Sequence, residues 1–374
     1  MHKVGHIIRK EFIQLRRDRR MFFIVFFSPV LQLILLGYAA NLDIKNIPAV
    51  FCDLDASSAS RDFIARFPSS GYFTVEAILD RIDDVDAYID KGKASLALII
   101  PRGMGRRLAS QKPVSVQVIV DGAESQSAVI GLSYATMIGL KYSQQILLER
   151  LEQSSPALSP PKVEPEVRVW YNPDLRSRNF MIPGVLAMVL MIVTMLLTSL
   201  GIVKEREQGT MEQLMVTPIR AHELILGKLL PFFLIGLIEI GVVVAVAVFW
   251  FGVPVKGSLW LLFGLSPTFM LTTLGLGLFI STVSRNQQQA MLTAVFFILP
   301  QIILSGFVFP IENMPRLIQG LTYVVPLRYF LVIIRGLFLK AAGWQTLWDE
   351  TFALVVFGAV ILGLSMLRFR KNLE

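Results

Sequence analysis

The sequence predicts a mainly α-helical polytopic membrane protein with six transmembrane helices, an N-terminal interfacial helix, outer re-entrant helices and one external α/β domain. Three observations predict it. First, 17% of the 374 residues are charged and 54% are hydrophobic, whereas a soluble protein carries about a quarter charged residues. Second, the charges are separated by gaps of membrane length: 22 uncharged residues lie between Arg20 and Asp43, 25 between Arg178 and Lys204, 28 between Lys256 and Arg285, and 26 between Arg285 and Glu312. Lys228 and Lys256 enclose 27 residues with Glu239 as the one charge, and Glu350 and Arg368 enclose 17. Crossing about 30 Å of hydrocarbon takes roughly 20 apolar residues, so these gaps are six spans, the last borrowing Trp348 or Leu367 at its ends. Third, residues 43–178 interrupt the pattern with 16 Lys/Arg and 17 Asp/Glu, a nearly neutral segment that reads as a separate folded domain.

Residues 1–20 contribute five of the eight net positive charges. Within them Val4, Ile7, Ile8, Phe12 and Leu15 recur at helical spacing, which predicts an amphipathic helix lying in the cytoplasmic interface with its basic residues among anionic headgroups. Residues 21–42 are the first span. In the domain that follows, "IPAVFCD" (47–53), "YFTVEAI" (72–78), "SLALIIP" (95–101), "VSVQVIVDG" (114–122) and "EVRVWYN" (166–172) are strand candidates. Helical patterns fall between them at "ASSASRDFIARF", at 80–92 with Ile82, Val85 and Ile89 on one face, and at 124–152. Alternating strands and helices predict an α/β layer domain. The Pro/Ser-rich stretch 153–166 is an extended connector.

Residues 179–374 hold five further spans. The basic residues fix their sense: with six spans, 15 Lys/Arg fall on one side and five in the short opposite loops, so both termini are cytoplasmic and 43–178 is extracytoplasmic. Residues 310–349 contain apolar pieces too short to cross, interrupted by Arg316, Pro326, Arg328 and Arg335, which predicts outer re-entrant helices.

The chemistry the chain lacks is equally informative. There is no GxxxxGK[ST] phosphate loop, so ATP hydrolysis is not expected on this chain. Three histidines (His2, His6 and His222) and Cys52 are scattered, which argues against a metal site or a nucleophilic triad; the cysteine reads as a small buried apolar residue. Basic residues beside spans are topology signals, so no nucleic-acid partner is expected.

Against this apolar background stands "KEREQGTMEQLMVTPIRAHELILGK" (204–228), with four charges of each sign. Its first part forms a short helix with Met211, Leu214 and Met215 toward the membrane and Glu205, Arg206, Glu207, Glu212 and Gln213 toward water. Thr217-Pro218 breaks it. An ordinary interfacial loop would look similar. The stretch "REQGTMEQLMVTP…ELILGK", however, resembles the loop after the second span of type-2 ATP-binding-cassette (ABC) export permeases. "YNPDLRSRNFMIPG" (171–184), "LSGFVFPIENMP" (304–315) and "YVVPLRYF" (323–330) resemble further parts of that family, and the similarity covers essentially the whole chain.

The resemblance implies a permease subunit driven by a separate cytoplasmic ATPase that binds ATP and Mg. Residues Lys204, Glu205, Arg206, Glu207, Gly209, Thr210, Glu212 and Pro218 would hold the coupling helix, with Glu207 and Glu212 meeting basic groups of the ATPase and Gly209 allowing a tight turn. It also implies a second permease copy or close paralogue, membrane lipids as neighbours, a bacterial inner membrane, and a periplasmic adaptor protein on the external domain. The substrate would be amphiphilic or hydrophobic. Candidate path residues are Gln32, Glu239 and Gln301. Glu239 reads either as facing a partner, cavity or dimer seam or as a protonated carboxyl hydrogen-bonded within the bundle; the two glutamines are weaker candidates, read more readily as interhelical glue than as substrate contacts. Arg328 is a candidate outer gate, with snorkelling to headgroups as its alternative. Two rival functions are an ion-coupled secondary transporter, for which no internal repeat is visible, and a membrane-anchored sensor, for which no long cytoplasmic stretch is visible.

Overall fold

In the computed structural model, residues 2–39, 46–123, 125–154, 170–172, 176–210 and 221–371 are described. The chain divides into two compact units, Met1–Leu42 with Arg168–Glu374, and Asp43–Val167. In chain order the elements are α1 (His2–Arg17), α2 (Arg19–Ala39), β1 (Ile47–Asp53), α3 (Ser58–Ser69), β2 (Phe73–Leu79), α4 (Asp83–Asp90), β3 (Leu96–Ile100), α5 (Met104–Ala109), β4 (Gln117–Val120) and α6 (Ser125–Ser154). They continue with α7 (Ser177–Glu207), α8 (Ala221–Phe249), α9 (Leu259–Val283), α10 (Gln287–Leu304), α11 (Arg316–Thr322), α12 (Pro326–Lys340) and α13 (Trp348–Lys371).

The smaller unit is an α/β sandwich. Its sheet has the order β2-β1-β3-β4, with β1 parallel to both neighbours and β4 antiparallel to β3. Side chains alternate across the sheet. Ile47, Ala49 and Phe51 face a core completed by Phe63, Ile64 and Phe67 of α3 and by Ala135 and Tyr142 of α6. Val50 and Cys52 face the other way, against Val85 of α4, and Cys52 is a free, buried thiol. Ser57 caps α3 by accepting from the Ser60 N–H at 3.2 Å. The pattern does not anticipate α5. Its start is capped from 48 residues away, where the Asp55 carboxylate accepts from the Gly103 and Gly105 N–H groups at 2.6 and 2.9 Å, a partner that local sequence cannot announce. Of the strand candidate at 166–172, residues 166–169 lie outside the described residues, and 170–172 are not in a strand.

Among the described residues of the helical unit, five helices are long and apolar enough to cross a membrane: Ser177–Glu207, Glu223–Phe249, Leu259–Val283, Gln287–Leu304 and Trp348–Phe369. The pair α11 and α12 meets at 78°, the geometry of a broken span or a re-entrant loop, and makes a sixth if counted as one. Pro326 opens α12, where a missing N–H is no loss. Helix α2, at the place expected for the first span, has 21 residues, of which Val25–Ala39 form its apolar stretch. Helix α7 is the axis of the unit: 78% of its apolar window is buried, against 22% for α10 and for α13. Glycines admit the close approaches. A Cβ on Gly277 of α9 would lie 2.7 Å from the Met195 carbonyl oxygen of α7, and one on Gly275 would meet Leu362 of α13 at 3.1 Å. Residues 273–278 ("TLGLGL") are therefore a packing surface.

Candidate functional site

Lys204–Glu207, the first residues of the charged stretch, form the last turn of α7. They do not start a separate helix, because 25 uncharged residues carry the helix to them and each of the four then finds a partner on another element. Gln208 caps the turn, and Gly209 follows with φ +71°, the left-handed position that suits glycine beyond a helix end. The Thr210 hydroxyl donates to the Glu205 carbonyl at 3.1 Å. Residues 211–220, including Met211, Glu212, Gln213, Leu214, Met215, Thr217 and Pro218, lie outside the described residues.

Lys204 pairs with Asp18, between α1 and α2, at 2.9 Å. Arg206 donates from Nη1 to the carbonyls of Ser281 and Ser284, at 3.2 and 3.1 Å, where the unsatisfied oxygens at the end of α9 favour a cation. The Glu207 carboxylate accepts from the Gln287 backbone N–H at 2.9 Å and from its side-chain amide, so it occupies the N-terminus of α10, where a negative charge is favoured.

Glu205 corrects the expectation of a water-facing residue. It is 3% exposed and pairs with Lys10 of α1 and Lys228 of α8. Lys228 is itself 2% exposed and lies 3.6 Å from Glu11 of α1. Desolvation of Glu11 outweighs its attraction to Lys228 and holds its carboxyl above the usual carboxylate range. Helix α1 is docked as well as charged: Ile7 packs at Gly227, where a Cβ would sit 2.9 Å away. Beside the network lies a cavity of about 350 Å³ lined by Gln14, Arg17, Lys204, Gln208 and Phe232, with Glu11 and Glu205 in its wall.

Sequence reasoning missed Lys10, Glu11, Asp18, Lys228 and Gln287. Two of these carried a signal. Glu11 follows Ile7 by one helical turn, which puts an acid on the apolar stripe of α1, and Lys228 falls between Leu224 and Phe232 on the buried face of α8. An acid and a base each placed on an inward face invite pairing.

The remaining site candidates are not brought together. Gln32 donates to Ser28 of its own helix at 3.0 Å. Glu239 is 3% exposed, and both its carboxylate oxygens are buried with no hydrogen-bond partner among the described residues. Gln301 is 7% exposed, its Oε1 likewise unpartnered among them. Arg328 donates to the Thr322 hydroxyl and stacks over Tyr323 at 4.0 Å, bracing the bend between α11 and α12. Arg335 lies over Phe180 of α7 at 3.7 Å and donates to the Gly306 carbonyl at 3.3 Å. Among the described residues, no group of three or more His, Cys, Asp or Glu could hold a metal ion.

Apolar helices of membrane length and a bent helix pair define an integral α-helical membrane protein. The sequence matches the ABC-2 family transporter protein family over residues 19–367. It is 33% identical over 371 residues to the probable multidrug ABC transporter permease YbhR of Escherichia coli K12, covering 99% of each chain. It is 34% identical over 376 residues to the probable multidrug ABC transporter permease YbhS of the same organism, covering 100% of this chain and 98% of that one. The inner membrane transport permease YhhJ is 27% identical over 97% of this chain and 96% of its own. The chain belongs to the ABC-2 transporter family, as the motif at 204–218 and its companions indicated.

Proposed function

We propose that the chain is the transmembrane permease of an ATP-driven exporter in a bacterial inner membrane, and that the turn Lys204–Glu207 distributes the force of a cytoplasmic ATPase. One observation carries this reading: four consecutive residues at the end of the most buried span, the first of the stretch 204–218 that resembles a coupling loop, tie to Asp18 and to α1, α8, α9 and α10. A displacement of residues 211–218 pulls directly on that turn. Helix α1 then moves with α7 and α8 through the buried ions, while α9 and α10 follow through Arg206 and Glu207. The energy lies in contacts that differ between inward- and outward-facing states.

In this reading α2 is the first of six spans, both termini and residues 204–228 are cytoplasmic, and residues 43–178 are extracytoplasmic. Two copies, or one with a close paralogue, form the path, and an adaptor protein docks on the external domain. ATP and Mg are held by the partner ATPase, where the hydrolysis takes place. The cargo is an amphiphilic or hydrophobic compound, in line with the multidrug names of the relatives. Glu239 and Gln301 are its polar contacts in the membrane, because a buried oxygen without a partner is costly unless another state supplies one. Gln32 is a weaker path candidate, since Ser28 already satisfies its amide. Arg328 acts at the outer gate by holding the α11–α12 bend.

The test is affinity purification of the tagged chain from its host in mild detergent, with the wild type beside a Glu207→Lys, Glu212→Lys variant. A stoichiometric ATPase is expected with the wild type and is expected to be lost from the variant. An intact permease oligomer without any ATPase would contradict the reading and favour an ion-coupled transporter.

A further inference from the structure

The α/β unit contains a groove that its described residues leave open. It has a volume of about 430 Å³ and is walled by Phe63 of α3, Met104 and Leu108 of α5, Val114, and Tyr142 and Ile146 of α6. Small-molecule sites typically take this form, a cleft of about 300–1,000 Å³ lined mainly by apolar side chains with a few polar groups at defined places. The hydroxyls in this wall are already engaged: Tyr142 donates to the Ala59 carbonyl at 3.2 Å and Ser143 to the Gly139 carbonyl at 2.9 Å. The groove therefore presents mostly carbon. Its charge comes from Lys112, within a segment, residues 91–120, that has six Lys/Arg and no Asp or Glu.

Gly139 is the second, independent observation. It lies in the middle of the 30-residue α6, where glycine is about 1 kcal/mol worse than alanine. Its backbone is not left-handed, and a Cβ added there would meet nothing within 4 Å. Gly131 of the same helix differs, since its Cβ would touch Leu96 and Ile47 at 3.5 and 3.6 Å. Those are ordinary contacts, so close packing requires neither glycine, and at Gly139 the missing side chain keeps the groove open.

We infer that this groove binds a single-chain anionic amphiphile, with the apolar chain between α5 and α6 and the anionic head at Lys112. The chain supplies most of the affinity through buried area. An exposed lysine adds little energy and sets the orientation. The inference does not depend on ATP-driven transport, and it is read without an ATPase present, so its failure and that of the transport reading are separable.

The experiment uses the full chain in phosphatidylcholine nanodiscs and a dodecanoate probe with a diazirine at the chain end. Labelled peptides are mapped by mass spectrometry after illumination. Saturable labelling is expected in residues 104–116 and 139–146. Gly139→Leu fills the groove and raises helix propensity, so it is expected to fold and to weaken labelling roughly tenfold or more. Gly139→Ala is expected to fall between, and Lys112→Glu to weaken labelling by roughly threefold. Labelling that does not saturate, or that is unchanged in Gly139→Leu, overturns the inference. So does a groove that rejects the probe while the same peptides are protected from hydrogen exchange on self-association, because a second chain would then be the occupant.

Discussion

At the scale of single residues, the chain uses charge in two ways. In the α/β unit, Asp55 reaches across to α5, and hydrogen bonds from Ser57 and from the Gly105 and Gly103 backbone hold its carboxyl below the usual carboxylate range. A carboxyl depressed in the folded state contributes stability above its unfolded pKa and loses it as pH falls through the folded value. Asp55→Asn is therefore expected to lower the melting temperature of the chain at neutral pH and to flatten the acid side of its stability profile, as thermal unfolding at several pH values would show. At the end of α7, charge is buried instead. Lys228→Met removes the cation that both Glu205 and Glu11 face, which leaves Glu11 without its ion-pair partner and Glu205 with Lys10 alone and costs about 3 kcal/mol. Adding Glu205→Gln is expected to restore at least half of that loss. A double-mutant cycle by thermal unfolding in detergent measures it, and additive losses would show that the residues do not act as a pair.

Among the elements, the same contrast decides what could be read in advance. Long apolar gaps between charges announced α7, α8, α9, α10 and α13, because a span is a property of a contiguous stretch. Strand alternation placed β1, β2, β3 and β4 to within a few residues. What stayed hidden rests on distant partners: α5 depends on Asp55, and the inward turn of Glu205 depends on Lys10 and Lys228, which come from two other helices. The motif at 204–218 did not show that its first four residues close α7. Helix packing also makes a prediction. A Cβ at Gly277 would press on the Met195 backbone carbonyl, which cannot rotate away as a side-chain end can. Gly277→Ala is therefore expected to cost about 1–3 kcal/mol. A melting temperature unchanged in that variant would mean that α7 and α9 separate freely.

For the whole molecule, the account makes the end of α7 the point at which an imposed displacement is divided among four helices. If that is correct, α1 and α10 move as one body although they make their polar contacts with different residues of the turn. Pulsed electron paramagnetic resonance tests this directly. Spin labels would replace the exposed residues Gln14 on α1 and Gln288 on α10 in a Cys52→Ser background, with labelled chain diluted by unlabelled chain in nanodiscs. The account predicts one narrow distance distribution in the wild type, unchanged when the partner ATPase is added and trapped with a non-hydrolysable ATP analogue, and a broadened one in Glu205→Gln. A wild-type distance that shifts with nucleotide, or a Glu205→Gln distribution as narrow as that of the wild type, would contradict it.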